Sequence, residues 1–334
     1  MRWSPGDMQA LLVPFIWGLN FVVIKAALDE FPPMAFMAIR FAFASIVMIT
    51  VLYWREGHVS LSRGVWFRLI LLGLIGNTLY QVLFISGLAM TTATNSSLLL
   101  AATPVVVVLF GSLLGIEHNN WVVRVGVGLA FLGILSVLAA QGLDFSSETL
   151  QGDLLTVAAM LNWSAYTLGV RRLGIDVSAL RVTTITMVCG TPGLILAGAG
   201  TISQVDWSQI SVSAWAGLVY SALLALSFAY FLWNNSVQRV GGSRTAIFAS
   251  STPLVATSIA WITLDEQPLP LQMLGAGLII LGVLLAQGQI PQLIRAKWVK
   301  RGAAGRGLED RPQSIFMHHS EPCCLWPAIM NQPL

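Results

Sequence analysis

Charge is what this sequence has least of. Of 334 residues, 18 are Lys or Arg and 15 are Asp or Glu, together 10%, while 56% are hydrophobic. Soluble domains carry about 25% charged residues, so this chain cannot solvate the surface of a water-borne globule and most of that surface must face lipid. The net charge of +3 excludes an electrostatic grip on nucleic acid. Cysteine is nearly absent, and Cys189, Cys323 and Cys324 have neither metal-ligand spacing nor the density of a disulfide framework. No HExxH or GxSxG occurs, and no Asp, Glu or His falls near the middle of an apolar run. General acid–base chemistry therefore lacks its groups, which excludes an intramembrane enzyme. No cofactor and no metal is expected. The His318–His319 pair reads as part of a solvated tail. The N-terminus has no cleavable leader, since the first apolar run begins near Gly6 and no small-residue cleavage site follows at the right distance.

Long apolar runs are abundant. A bilayer core of about 30 Å needs roughly 20 apolar residues per helix, and ten candidate spans result: 6–28, 33–54, 65–88, 94–115, 121–140, 152–172, 178–199, 212–236, 244–264 and 271–290. The expected fold is an all-α integral membrane protein of ten transmembrane helices. Placing both termini in the cytoplasm puts 16 of the 18 basic residues on the inner side and none in outer loops. The outer loops then hold Asp29, Glu30, Asp144, Glu148, Asp153, Asp206, Asp265 and Glu266. The two basic residues left over, Lys25 and Arg40, lie within spans. From about residue 295 the chain turns polar without a periodic apolar face, the pattern of a disordered cytoplasmic tail over 295–334.

The chain also repeats itself. An offset of 149 residues lays Thr103–Pro104 on Thr252–Pro253, Glu117 on Glu266, and Gly126, Gly128 and Gly133 on Gly275, Gly277 and Gly282. Near the start, an offset of 146 lays Trp17 on Trp163 and Lys25 on Arg171. Apolar composition makes Leu/Val matches cheap, but not a matched Thr-Pro, Glu and Gly-x-Gly-x4-Gly. The repeat unit has five spans, over 1–140 and 141–294. An odd number of spans forces the second copy to enter from the opposite side, so the halves are inverted, a common construction of secondary transporters.

Two inverted five-helix halves, "WGLNFV" in span 1, "IRFAFAS" in span 2 and a proline in span 4 before "GIE" together resemble the EamA-type transporters of the drug/metabolite transporter superfamily. Within that family the bacterial exporters of aromatic amino acids are the nearest in character. The resemblance implies export of amino acids or other small metabolites from the cytoplasm across the bacterial inner membrane without nucleotide hydrolysis. Cysteine-pathway compounds, nucleosides and sugar phosphates are the other cargo classes.

Each candidate residue has two readings. Lys25 either snorkels to the outer headgroups or, with Arg40, supplies positive charge along the exit path. Arg40 lies deeper, so its guanidinium must point into the bundle, either to pair with Asp29 or Glu30 or to meet a substrate carboxylate. Pro104 and Pro253, set mid-span at equivalent places, are fixed kinks or paired hinges. Asn20, Asn77, Gln81 and Asn162 have no cheap partner in lipid and are candidate substrate ligands. Trp17, Tyr80, Trp163, Tyr166 and Tyr230 are bundle filler or the walls of a site for a flat ligand. The six glycines read as helix-packing positions, in scaffold or a dimer face. The expected partners are a small-molecule substrate and the bilayer, with the chain a monomer or homodimer. With no mid-membrane carboxylate, no proton coupling is expected.

Overall fold

The structure, a computed structural model, describes residues 5–57, 60–114, 121–140, 142, 147–173, 177–241, 245 and 248–286. The tail, Glu117, Arg244 and the His318–His319 pair lie outside these residues. Among the described residues every regular element is a helix. In chain order they are α1 (Pro5–Ala27), α2 (Pro33–Glu56), α3 (Arg63–Met90), α4 (Ala93–Leu100), α5 (Thr103–Leu113), α6 (Trp121–Ala139), α7 (Glu148–Leu173), α8 (Ala179–Ile202), α9 (Val212–Val240), α10 (Thr252–Thr263) and α11 (Pro270–Ala286). Six segments are long and apolar enough to cross a bilayer, one of them α4 and α5 taken together; α1, α10 and α11 supply shorter apolar stretches. Large apolar side chains such as Ile46, Trp54, Leu196 and Ile262 point outward, as lipid-facing positions must when no water is present to reward polar ones.

Five helix starts are set by hydroxyl caps, Ser62, Thr92, Ser147, Ser178 and Ser211, each accepting from the amide three residues on. The repeat is written in these starts. Pro33 and Ala179 open α2 and α8 146 residues apart, while Arg63 and Val212, Thr103 and Thr252, and Trp121 and Pro270 are each 149 apart. Both halves also carry one wide helical turn in the third span. In α3 it covers Leu74–Leu79, and in α9 Ser221–Phe228. Such π segments insert an extra residue and occur at functional sites. No residue pattern in the sequence announced them.

The structure corrects two expectations. Pro104 and Pro253 do not kink continuous helices. Residues 101–102 and 250–251 are turns, and each proline is the second residue of a new helix, α5 or α10. There its missing N–H removes nothing, because first-turn amides have no intrahelical partner. Asp153, read as an outer-loop residue, lies in the second turn of α7 and is buried.

Helices α6 and α11 form the tightest pair. A methyl group built on Gly126 would meet the Ala286 nitrogen at 2.5 Å and the Gly282 oxygen at 2.6 Å, and one on Gly133 would meet the Gly275 oxygen at 2.7 Å. Residue 126 beside 282 and 133 beside 275 means that the two copies run antiparallel, and the 149-residue offset exchanges one glycine pair for the other. Gly128 and Gly277 face open space. Around this pair a second apolar cluster gathers Leu99, Val105, Ile134, Ile279 and Val283, while the larger cluster spans α1–α3 and α7–α10.

A loop contact ties the other end of the bundle. The Glu30 carboxylate accepts from the Ser211 amide at 2.6 Å and from its hydroxyl at 2.7 Å. These bonds, the amide's first, hold the Glu30 carboxyl below the ordinary glutamate value of 4.5. A carboxylate with a lowered folded pKa contributes stability above its unfolded value and loses it as pH falls through the folded one. The melting-temperature gap between wild type and Glu30→Gln should therefore stay constant down to about pH 5 and close as pH falls further.

The glycine contacts predict a contrast within one motif. Gly126→Val and Gly133→Val should destabilise the protein by about 1–3 kcal/mol or more through overpacking, whereas Gly128→Val and Gly277→Val should leave it near wild type. Thermal unfolding of the four variants in one detergent tests this.

Candidate functional site

Residues that superpose under the repeat touch each other along the molecule's centre. Trp17 and Trp163 meet edge to face at 5.7 Å. The Ser45 and Thr191 hydroxyls lie 2.7 Å apart. Gln81 Nε2 donates to the Tyr230 hydroxyl at 2.7 Å, and Ser250 Oγ approaches the Ala101 carbonyl at 3.5 Å. A residue can face its own counterpart only on the axis relating the two copies, so these pairs mark that axis from α1–α7 through to the two helix breaks.

A cavity lies on this line. Of the sequence candidates, Trp17, Asn20, Arg40, Tyr80, Gln81, Pro104, Trp163 and Tyr230 line it. Residues that sequence reasoning missed also line it, foremost Trp233 and Phe84. Trp233 follows Tyr230 by three positions, which places both on one helix face, and that spacing was a usable signal. The aromatic rings close on one another. Trp17 sits 5.9 Å from Tyr230 and 5.2 Å from Trp233, and Trp163 sits 4.9 Å from Tyr80 and 5.1 Å from Tyr230. About 70 Å³ remains open to a water molecule's centre, enough for on the order of five waters. A larger guest requires the rings to part.

Both wide turns serve this cavity. Arg40 donates from Nη1 to the Ser221 hydroxyl at 2.8 Å and from Nη2 to Gln81 Oε1 at 2.6 Å. Ser221 opens the π segment of α9, and Gln81 follows that of α3. The Trp17 indole donates to the Ala225 carbonyl within the first of these at 3.1 Å. Arg40 is 1% exposed and also lies against the Phe36 and Phe41 rings at 5.5 and 5.6 Å. Its Nε and the Asn20 Oδ1 are buried without a hydrogen-bond partner. Asp29 and Glu30 make no ion pair with it.

Other candidates sit elsewhere. Tyr166 stacks behind Trp163 at 5.0 Å and bonds Asn234. Asn77 is fully buried against Gly190, outside the cavity, with both amide atoms unpartnered. Pro253 lines a separate crevice with Leu98 and Trp261.

The EamA-like transporter family matches this chain twice, over residues 4–139 and 150–287. The chain belongs to that family. It is 31% identical over 278 residues to the uncharacterized transporter YyaM of Bacillus subtilis, covering 82% of this chain and 90% of that protein. The probable amino-acid metabolite efflux pump of Escherichia coli is 27% identical, over 82% of this chain and 92% of that protein. A solved crystal structure 20% identical in sequence shares the fold, with a TM-score of 0.61 over 85% of this chain and 98% of its own. This EamA protein is thus a multi-pass membrane transporter.

In this chain the turn between α3 and α4 is held from both ends. Lys25 Nζ donates to the carbonyls of Leu88, Ala89 and Thr91 at 3.1, 3.1 and 2.6 Å. From the opposite repeat, the Glu266 carboxylate accepts from the Ala93 and Thr94 amides, both at 2.9 Å. Beneath them Asp153 accepts from Thr91 Oγ1 and Asn95 Nδ2, and Gln272 Nε2 donates to Asn95 Oδ1. Helix-end carbonyls and amides carry opposite partial charge, so a cation belongs on one side of this turn and an anion on the other. All three Lys25 N–H bonds are thereby occupied. Lys25→Met should lose about 1–3 kcal/mol of stability by stranding those carbonyls, and Lys25→Arg should recover most of it. Thermal unfolding in lipid nanodiscs reads both.

Proposed function

We propose that this EamA protein exports amino acids, aromatic ones foremost, or related small metabolites across the bacterial inner membrane by alternating access about the axial cavity. The observation that carries this reading is the cavity's position. It lies where the two repeats face each other, with aromatic and amide side chains converging from both, which is where inverted-repeat transporters bind their cargo. The name of the Escherichia coli relative, an amino-acid metabolite efflux pump, supports the cargo class.

In this reading ten spans form two inverted halves with both termini in the cytoplasm. The sequence's one-sided distribution of Lys and Arg supports that orientation, and the antiparallel α6–α11 pair supports the inversion. Trp17, Tyr80, Trp163 and Tyr230 form walls that stack on a flat cargo, while Asn20 and Gln81 hydrogen-bond its polar end. Tyr166 and Asn77 brace this wall from behind. Lys25 and Arg40 supply positive potential from the cavity to the outer clamp. Breaks before Pro104 and Pro253 let α5 and α10 swing without breaking intrahelical bonds, which makes them paired hinges.

Counterflow of aromatic amino acids in proteoliposomes tests the reading. Asn20→Ala should cut flux about tenfold, the effect of a lost hydrogen bond of 1–3 kcal/mol in a dry cavity. The Pro104→Ala, Pro253→Ala double variant should melt like wild type yet transport several-fold more slowly. Wild-type flux in Asn20→Ala would remove that residue from the site, and wild-type flux in the double proline variant would reduce the breaks to fixed bends.

A further inference from the structure

The cavity's charge is lopsided. Arg40 is its one ionic lining residue; among the described residues no Asp or Glu lines it. The two hydrogen bonds of the Arg40 fork go to neutral oxygens, the Gln81 amide and the Ser221 hydroxyl. Such bonds orient a guanidinium without cancelling its charge. The faces of Phe36 and Phe41 and the neutral phenols of Tyr80 and Tyr230 also lie near it, and its Nε–H is buried and unpartnered. An ion pair elsewhere, Arg181 with Glu56 at 2.7 Å, belongs to other parts of the bundle. A buried cation normally keeps an anion beside it, because leaving water alone is costly. Here the place for that anion is open to the transport path.

Resting on the proposed central-cavity reading, we infer that the cargo bound at this site is an organic monoanion: an aryl or similarly flat apolar acid whose carboxylate lies in the field of Arg40 and whose ring lies among Trp17, Trp163, Tyr230 and Trp233. A neutral N–H or O–H on that acid answers the unpartnered Asn20 Oδ1. A zwitterion offers the same carboxylate but brings an ammonium into the same enclosure. There it meets ring faces and neutral oxygens, with no carboxylate to receive it, and the fixed positive charge of Arg40 opposes it. Amino-acid derivatives that have lost the ammonium charge, by deamination or N-acylation, are the matching class. Charge sign is the discriminating quantity because the low-polarity setting magnifies it; the ring faces attract an ammonium modestly, and in this inference the unpaired Arg40 charge outweighs that gain.

Equilibrium binding to the wild-type full chain in lipid nanodiscs decides this, using three probes with one ring and one chain length. They are 3-phenylpropanoate, phenylalanine and 2-phenylethylamine, at neutral pH. The expected order is 3-phenylpropanoate tightest by about tenfold, then phenylalanine, with the amine weakest. Arg40→Gln should erase the advantage of the acid over phenylalanine and Arg40→Lys should keep part of it; the wild-type ranking decides even where Arg40→Gln fails to fold. Phenylalanine binding as tightly as the acid, or the acid not binding, overturns the inference. If in that case Trp17→Ala or Trp163→Ala still weakens phenylalanine binding, the central cavity stands and only its charge preference falls. Acid binding that both tryptophan variants leave at wild-type affinity places binding elsewhere and overturns the cavity reading with it.

Discussion

A backbone turn in an apolar setting needs its own polar partners, and the α3–α4 turn of this transporter gets them from two charged side chains of opposite sign. In hydrocarbon no water completes the last carbonyls of one helix or the first amides of the next. Lys25 from α1 covers the carbonyls and Glu266 from beyond α10 covers the amides. The clamp therefore joins the first helix of one repeat to the fourth helix of the other through a third element. It fixes where α4 begins, and α4 in turn leads to the break at residues 101–102 that borders the cavity. Lys25 looks misplaced when read as an isolated residue. Together with Glu266 it forms the two halves of one cap for the turn.

Much of this architecture was legible in the sequence because it rests on periodicity and on repetition. The offsets that align Trp17 with Trp163 and Thr103–Pro104 with Thr252–Pro253 identify equivalent positions, and the helix starts follow those offsets. An offset says nothing about whether equivalents touch. That depends on where the axis runs, and only the structure puts the two indoles in contact while leaving Gly128 and Gly277 in open space. Asp153 was misassigned because one carboxylate near a span end looks alike whether it faces water or a Thr–Asn pair. The mid-span prolines read as kinks in continuous helices for a related reason: a helix that stops and restarts has the same hydropathy as one that bends.

The cavity combines two features that pull against each other. Its rings pack at ordinary aromatic distances, so as it stands it is nearly filled. Of its polar members, Arg40 is held by neutral oxygens and Asn20 Oδ1 by no partner. A core built for stability alone would satisfy these groups or exclude them. Keeping them within an aromatic shell flanked by two discontinuous helices and two π segments places the least settled polar groups beside the parts of the backbone with the fewest regular bonds.

A position on a two-fold axis meets its own copy, and that sets a rule for ancestry. In a dimer of identical chains, Gln81 would face glutamine and Tyr230 would face tyrosine, while every arginine at position 40 would be answered by a second one across the cavity. Joining the two copies in one chain lifts that identity. The amide can then face a phenol, donating to it through Nε2 while Oε1 accepts from Arg40. The counterpart of Arg40 under the 146-residue offset is Thr186, a neutral residue that bonds its own helix. A single charge beside the axis is thus something two identical copies could not hold, and it marks where this cavity departs from two-fold symmetry.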